Sequence, residues 1–299
     1  MDLSIIIVSH NSKDLLRNCL RSVYQSQTRY GFDVLVHDNA SVDQTPEMVE
    51  AEFPNTKLIR GENVGFSKAN NAGIKQSQGR YVLLLNPDTE VSKDTFETMI
   101  NFMDSHPDVG ISTCKLALPD GTLDKACRRS FPTPWVSFTR LAGLSKIFPK
   151  SKIFNKYNLG YLPETEEHEI DSCVGAFLLT RRVVIEKVGL LDENFFLYGE
   201  DIDFCFRAKN AGWKVYYYSQ TTVIHHKRQS SKMDTADFNR RAFREFYKDS
   251  MLYFYRKNLA PKYPWILNQL MAFAIRLHYV MRLALKVISS KLAFLRIFE

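Results

Sequence analysis

The sequence predicts an α/β protein, a mostly parallel sheet with helices on both faces, followed by a basic helical appendage. Three observations predict it. Over residues 1–118, aliphatic runs of strand length alternate with amphipathic stretches of about ten residues, the pattern of repeated strand–helix–strand units. Two of those strands end on carboxylates, Asp38 and Asp88, at the tips where open α/β sheets bind ligands. The net charge of +7 is not spread evenly. Residues 251–299 carry eight Lys/Arg against one acid, which leaves 32 of each sign in the first 250.

The elements follow in order. Leu3–Val8 is an aliphatic strand, and Asp14–Tyr24 a helix with Leu15, Leu16, Cys19, Leu20 and Val23 on one face. Val34–Val36 is the second strand, and Thr45–Phe53 a helix behind the capping candidates Ser41 and Asp43. Lys57–Ile59, Tyr81–Leu85 and Val109–Leu116 read as strands, with helices over Ser67–Gln76 and Lys93–Met103 between them. Residues 119–169, with four prolines between 119 and 149, read as an excursion from the sheet. Regularity returns with a strand at Gly175–Thr180, helices at Arg181–Val188 and Glu200–Asn210, and strands at Lys214–Tyr218 and Thr222–Ile224. Beyond Met233 the pattern is helical.

Several function classes drop out early. No GxG follows the first strand, which runs into Ser9-His10-Asn11-Ser12, and no GK[ST] occurs anywhere. A P-loop is therefore excluded, and the missing glycines argue against dinucleotide-dependent hydride transfer. Five cysteines without a CxxC pair, and no leader ahead of the first strand, point to a reduced cytoplasmic compartment.

Five stretches can carry chemistry. Asp38, in VLVHDNASVDQT, suits the imide N–H of uracil or thymine, a donor that cytosine lacks; it equally suits an Asx turn or helix cap before Thr45. GENVGFSKANNAG offers glycines that let backbone approach a phosphate and a helix amino end beyond them. In LLLNPDTEV, Asp88 either closes a turn or holds a cation. In FFLYGEDIDFCFRAKNAGW, Glu200, Asp201 and Asp203 open a helix. Asp203 is spaced to pair with Arg207, and the preceding aromatics would raise a carboxylate's pKa. VIHHKRQSS places His225 at a strand end, as a single metal ligand or an ordinary surface histidine.

Taken together, VSHN, DNASVDQT, NVGFSKANNAG, LLLNPDTEV, VGAFLLTRR, FFLYGEDIDFCFRAKNAGW and IHHKRQSS resemble the family 2 inverting glycosyltransferases. The resemblance spans about residues 3–231 and is strongest to bacterial rhamnosyltransferase-type members. It implies the GT-A fold, a Rossmann-like, mostly parallel sheet, over residues 1–231; residues 232–299 lie outside it and read, from their own charge and helical pattern, as a basic amphipathic, membrane-associating appendage. It implies donor-nucleotide contacts at Ser9, Asn11, Asp38, Asn63, Gly65 and Asn70, with metal and diphosphate contacts at Asp88 and His225. The catalytic pair would be Glu200 and Asp201, with Asp201 as base. One departure matters: the DXD slot reads Asn86-Pro87-Asp88, so a single carboxylate is certain, and Mg²⁺ or Mn²⁺ is expected to arrive with the nucleotide.

The expected donor is a dTDP- or UDP-sugar, dTDP-L-rhamnose first. The appendage suggests the rest. Its longest uncharged run, Tyr263–Ile275, is too short to cross a bilayer. If 276–296 is one helix, its basic residues fan around an apolar arc suited to an anionic membrane surface, or to docking on the body or another subunit. Such placement fits a glycan acceptor on a polyprenyl diphosphate and an enzyme peripheral to the inner face of the cell membrane. Arg128, Arg129 and Tyr198 are the acceptor candidates. No nucleic-acid motif accompanies the basic tail. A related UDP-hexose transferase and a non-catalytic glycan-binding module are the competing readings.

Overall fold

A computed structural model describes residues 1–227 and 248–277. The chain runs β1 (Leu3–Ser9), α1 (Lys13–Tyr24), β2 (Phe32–Asn39), α2 (Thr45–Glu52), β3 (Lys57–Gly61), α3 (Phe66–Gln76), β4 (Tyr81–Leu85), β5 (Thr89–Val91), α4 (Thr95–Ser105) and β6 (Val109–Ala117). It continues through α5 (Pro134–Leu141), α6 (Leu144–Ile147), β7 (His168–Ile170), β8 (Phe177–Arg181), α7 (Arg182–Val188), α8 (Glu200–Asn210) and β9 (Lys214–His225). Among the described residues the strands form one sheet in the order β3-β2-β1-β4-β8-β6-β9-β5, with β7 on the free side of β9.

Every position of β1 and β4 is buried, so side chains on both faces of the central strands are covered. The helices supply the cover with apolar stripes at helical spacing: Leu16, Cys19, Leu20 and Val23 of α1, and Phe96, Met99, Ile100 and Met103 of α4. Strands β1, β2, β3, β4, β6 and β9 run in one direction. Their carboxyl ends, at Ser9, Asn39, Gly61, Leu85, Ala117 and His225, therefore share one edge of the sheet.

The structure departs from the sequence reading in four places. The strand expected at Gly175–Thr180 lies at Phe177–Arg181 and runs antiparallel to both β4 and β6. It enters the sheet from the excursion rather than through a helical crossover, so nothing forces it parallel. The two strands expected at 214–224 are one, β9; a register shift opposite Cys114 and Lys115 absorbs the intervening residues. Short strands β5 and β7 pair antiparallel with β9. Neither Ser41 nor Asp43 caps α2. Gln44 stands at the N-cap in the left-handed region, and Asp43 accepts from the Thr45 N–H at 3.2 Å instead.

The appendage is not separate either. Residues 248–254, a π-turn over Tyr255–Leu259 and residues 265–277 are helical, and they pack on the body. Phe254, Tyr255, Leu259 and Met271 bury against Phe195 and against Ile202 and Phe206 of α8. Each such side chain contributes about 1.5–3 kcal/mol. Lys257 and Asn258 both reach Asp203 at 2.8 Å, beside the expected Arg207–Asp203 pair at 2.8 Å. The expected domain boundary at 231/232, the end of the IHHKRQSS motif and nearly all of the 276–296 helix lie outside the described residues.

Candidate active site

The carboxyl edge of the sheet carries three clusters. The first lies at the ends of β1 and β2, where Asp38 stands opposite Ser9 in register. One carboxylate oxygen of Asp38 accepts from the Ser41 N–H at 3.0 Å, the Asx turn foreseen for it. The other, Oδ1, is buried with no partner among the described residues. A buried acceptor of this kind costs about 1–3 kcal/mol until a donor reaches it, and an imide N–H would supply one.

The loops around Asp38 are tied down. Asn11, at φ 48°, donates its backbone N–H to the Ser41 hydroxyl (2.9 Å) and accepts from the Val42 N–H (2.8 Å). Asn39 bonds Gly65 and Val64, joining β2 to the loop before α3. Asn63 accepts from the Gly65 N–H at 3.3 Å. Gly65 has φ 84°, and a Cβ there would sit 2.6 Å from the Phe196 carbonyl oxygen, so only glycine fits. Two expected donor contacts are turned to local work: Ser9 bonds Ser12 at 2.7 Å, and Asn70 donates to the Phe66 carbonyl one turn back.

The second cluster joins β4, β9 and the loop after β6. The Asp88 carbonyl accepts from the His226 N–H at 2.8 Å, and its carboxylate lies 3.3 Å from His225 Nε2. His225 Nδ1 is 2.8 Å from Asp124, which also takes Lys227 at 2.7 Å. Burial opposes charge on the His225 ring, but hydrogen bonds to Asp124 and Asp88 raise it to about 9. Burial likewise opposes the Asp124 anion, and His225 and Lys227 outweigh it, holding that carboxyl well below the usual range.

Asp124 was not foreseen, because its partner is 101 residues away and no local spacing announces it. It orients the ring from the far nitrogen, as carboxylates commonly do behind metal-binding histidines. Asp88 and His225 are too few to cage an ion alone. They fit a Mg²⁺ or Mn²⁺ that takes its remaining ligands from substrate phosphates, the proton on His225 Nε2 leaving as the ion binds.

The third cluster opens α8. Gly199 at φ 94° and Tyr198 at φ 69° turn the chain sharply into the helix. Asp201 accepts from Arg129 at 2.8 Å and from the Gly175 N–H at 3.3 Å, and its second oxygen takes the Ile202 N–H at 2.7 Å. Glu200 is buried with Oε2 unpartnered among the described residues. Burial first, and the Asp201 charge second, push its carboxyl up to about 8. The raised carboxyl expected here is thus Glu200, and Phe195 of the expected aromatic wall is in the core beneath α8.

The acceptor role expected of Arg128 and Arg129 is corrected. Arg128 is buried, donates to the Pro163 and Leu162 carbonyls and lies over the Tyr217 ring. Arg129 is committed to Asp201 and the Cys173 carbonyl. Neither is a solvated basic pair, since burial without a partner would cost several kcal/mol. The clusters are knitted together: Phe66 N–H donates to the Phe196 carbonyl at 2.7 Å, and Asn86 N–H to the Ala176 carbonyl at 3.2 Å. Asn71, also unforeseen, links α3 to Leu191 and Glu193.

Comparisons with known proteins agree with this arrangement. The model for "Glycosyl transferase family 2" matches residues 4–189. The chain is 28% identical over 246 residues to the N-acetylglucosaminyl-diphospho-decaprenol L-rhamnosyltransferase of Mycobacterium tuberculosis, covering 78% of this chain and 79% of that protein. It is 27% identical to rhamnosyltransferase WbbL of Escherichia coli K12, covering 85% and 93%. Among solved structures, Staphylococcus aureus TarS 1–349 with UDP-GlcNAc superposes with TM-score 0.53 (19% identity, 84% of this chain, 65% of that one). The mannosyltransferase PcManGT of Pyrobaculum calidifontis, with GDP-Man and Mn²⁺, gives 0.56 (15% identity, 99% and 79%). The fold is therefore that of the GT-A enzymes, and the chain is a glycosyltransferase belonging to glycosyl transferase family 2.

Proposed function

We propose that the protein transfers a hexosyl group, L-rhamnose from dTDP-L-rhamnose, with inversion to a hydroxyl of a glycan carried on a polyprenyl diphosphate, in the synthesis of a surface polysaccharide. The observation that carries this reading is one sheet edge presenting a buried, unsatisfied Asp38 oxygen, the Asp88–His225 pair and Asp201. Support for the sugar and the carrier comes from the two named relatives, whose names specify rhamnosyl transfer and, for the mycobacterial one, a diphospho-decaprenol acceptor.

In this reading Asp38 accepts the imide N–H of the donor base, and the Asn63–Gly65 loop and the amino end of α3 face the diphosphate. Asp88 and His225 hold a divalent cation, which when bound supplies positive charge against the leaving diphosphate. Asp124 keeps the His225 ring turned towards Asp88. Asp201 takes the acceptor hydroxyl's proton. The freed oxygen pair attacks the anomeric carbon from the face opposite the diphosphate, the C–O bond to the diphosphate breaks, and its electrons leave on that oxygen. Arg129 and the Gly175 N–H hold one Asp201 oxygen in place. Glu200 beside it stays uncharged at neutral pH, and Tyr198 borders the acceptor.

The test is donor turnover by purified protein with Mg²⁺ or Mn²⁺ across a panel of dTDP- and UDP-sugars, beside Asp201→Asn. Release of dTDP from dTDP-rhamnose by the wild type alone is the expected result. Turnover of a UDP-hexose instead keeps the mechanism and discards rhamnose, because the Asp38 contact is the same for uracil and thymine. Silence with every donor and lipid acceptor would favour a binding module.

A further inference from the structure

We propose that the face built by α5, the chain following it to about residue 154, and residues 265–277 is the surface with which the enzyme seats on an anionic lipid leaflet. The inference rests on the proposed lipid-linked acceptor and adds where the membrane lies. Of the fifteen large apolar side chains exposed among the described residues, ten fall in these two segments. Trp135 is 49% exposed, Phe138 52%, Trp265 73% and Phe273 62%. A contiguous apolar patch of this kind marks an interaction site, and tryptophan is the side chain most at home at the membrane interface.

The patch is concave at its centre. A groove of about 770 Å³ runs between α5 and residues 265–277, lined by Trp135, Phe138, Leu141, Leu267, Leu270 and Met271. The charge around it decides the occupant. The face itself, residues 134–154 and 265–277, contains five Lys/Arg and no Asp or Glu. A protein partner's interface has no need of so one-sided a frame. An anionic leaflet does, since each basic residue near it adds attraction while acyl chains fill the apolar centre.

The face is also joined to the active site. Met271 lines the groove and packs with Ile202 and Phe206 of α8, the helix whose first turn holds Asp201. A glycan on a membrane-held diphosphate is thereby brought to the base without leaving the leaflet. Among the described residues no helix is long and apolar enough to cross a membrane.

The chain's three tryptophans provide the experiment. Full-length single-tryptophan variants, retaining Trp135, Trp213 or Trp265 with the other two changed to Phe, are mixed with phosphatidylglycerol vesicles with and without brominated acyl chains. Quenching and a blue shift are expected for Trp135 and Trp265, and neither for Trp213, half-buried beside Gly110. Leu270→Ser/Phe273→Ser should lower vesicle partitioning about tenfold or more and leave nucleotide binding unchanged. Sedimentation with vesicles but no quenching of Trp135 or Trp265 would overturn this face and leave the lipid-linked acceptor standing. Failure to sediment with anionic vesicles at all would overturn the face and remove the membrane from the proposed function too.

Discussion

The cluster around Asp38, to which the proposed function gives the donor base, and the cluster around Asp201, to which it gives the acceptor proton, are built on opposite plans. Around Asp38, backbone N–H groups and short polar side chains lock the loops, and the one important oxygen is left open. Around Asp201, both carboxylate oxygens are engaged, by a buried arginine and two backbone N–H groups, while the neighbouring Glu200 is the group left unpaired. The first plan makes a rigid socket that waits for a ligand. The second stores charge in a dry environment, where each group depends on its partner. Binding should therefore respond to changes at the first cluster, and turnover and stability to changes at the second.

The largest expected effect tests that division directly. Asp201→Asn should lower turnover by about 10²–10⁴-fold while leaving the nucleotide dissociation constant, read by calorimetry, within about twofold. Equal losses in both would break the comparison. Arg129→Met should come next. Removing one partner of a buried pair costs about 3–5 kcal/mol, visible as a lower denaturation midpoint, because Asp201 and the Cys173 carbonyl lose their donor.

Asp38→Asn is expected to be milder and more specific. The amide oxygen can keep the Ser41 N–H, which turns an NH₂ towards the base. Affinity for UDP should fall about tenfold, as a mismatched buried hydrogen bond costs about 1–3 kcal/mol. Affinity for CDP, whose base offers an acceptor there, should rise relative to it. A uniform loss across nucleotides would mean that Asp38 serves the loop rather than the base.

The smallest effect concerns pH. The Glu200 carboxyl is raised from 4.5 to about 8 in the fold. The folded state thus holds a proton that the unfolded chain releases, and this group erodes stability as pH rises from about 4.5 to about 8. Glu200→Gln should remove that erosion. Relative to wild type, it should gain on the order of 1 kcal/mol or more at pH 8 and little at pH 4.5, measured by denaturant unfolding at both.

What could be read in advance follows the range of the interactions. Strands β1 and β4 were legible because their aliphatic runs are unbroken, and Asp38 and Asp88 because each stands where such a run stops. Strands β5 and β7 have three residues each, too few for any period to show. The direction of β8 has no local signal at all. Arg129 looked like a surface cation because its partner lies 72 residues away, and Asp124 was passed over for the same reason. Residues 248–277 read from sequence as an outlying appendage because nothing local says that Ile202 and Phe206 need a cover.

The contact of Gly65 with Phe196 bears on how such an enzyme can be altered. The loop assigned to the donor and the turn ahead of the proposed base touch backbone to backbone, with no room for even a methyl group between them. Donor preference is therefore not a detachable cassette. A loop 62–66 grafted from a relative should function only if residues 195–199 are transplanted with it, and the natural unit of exchange between such enzymes is the pair.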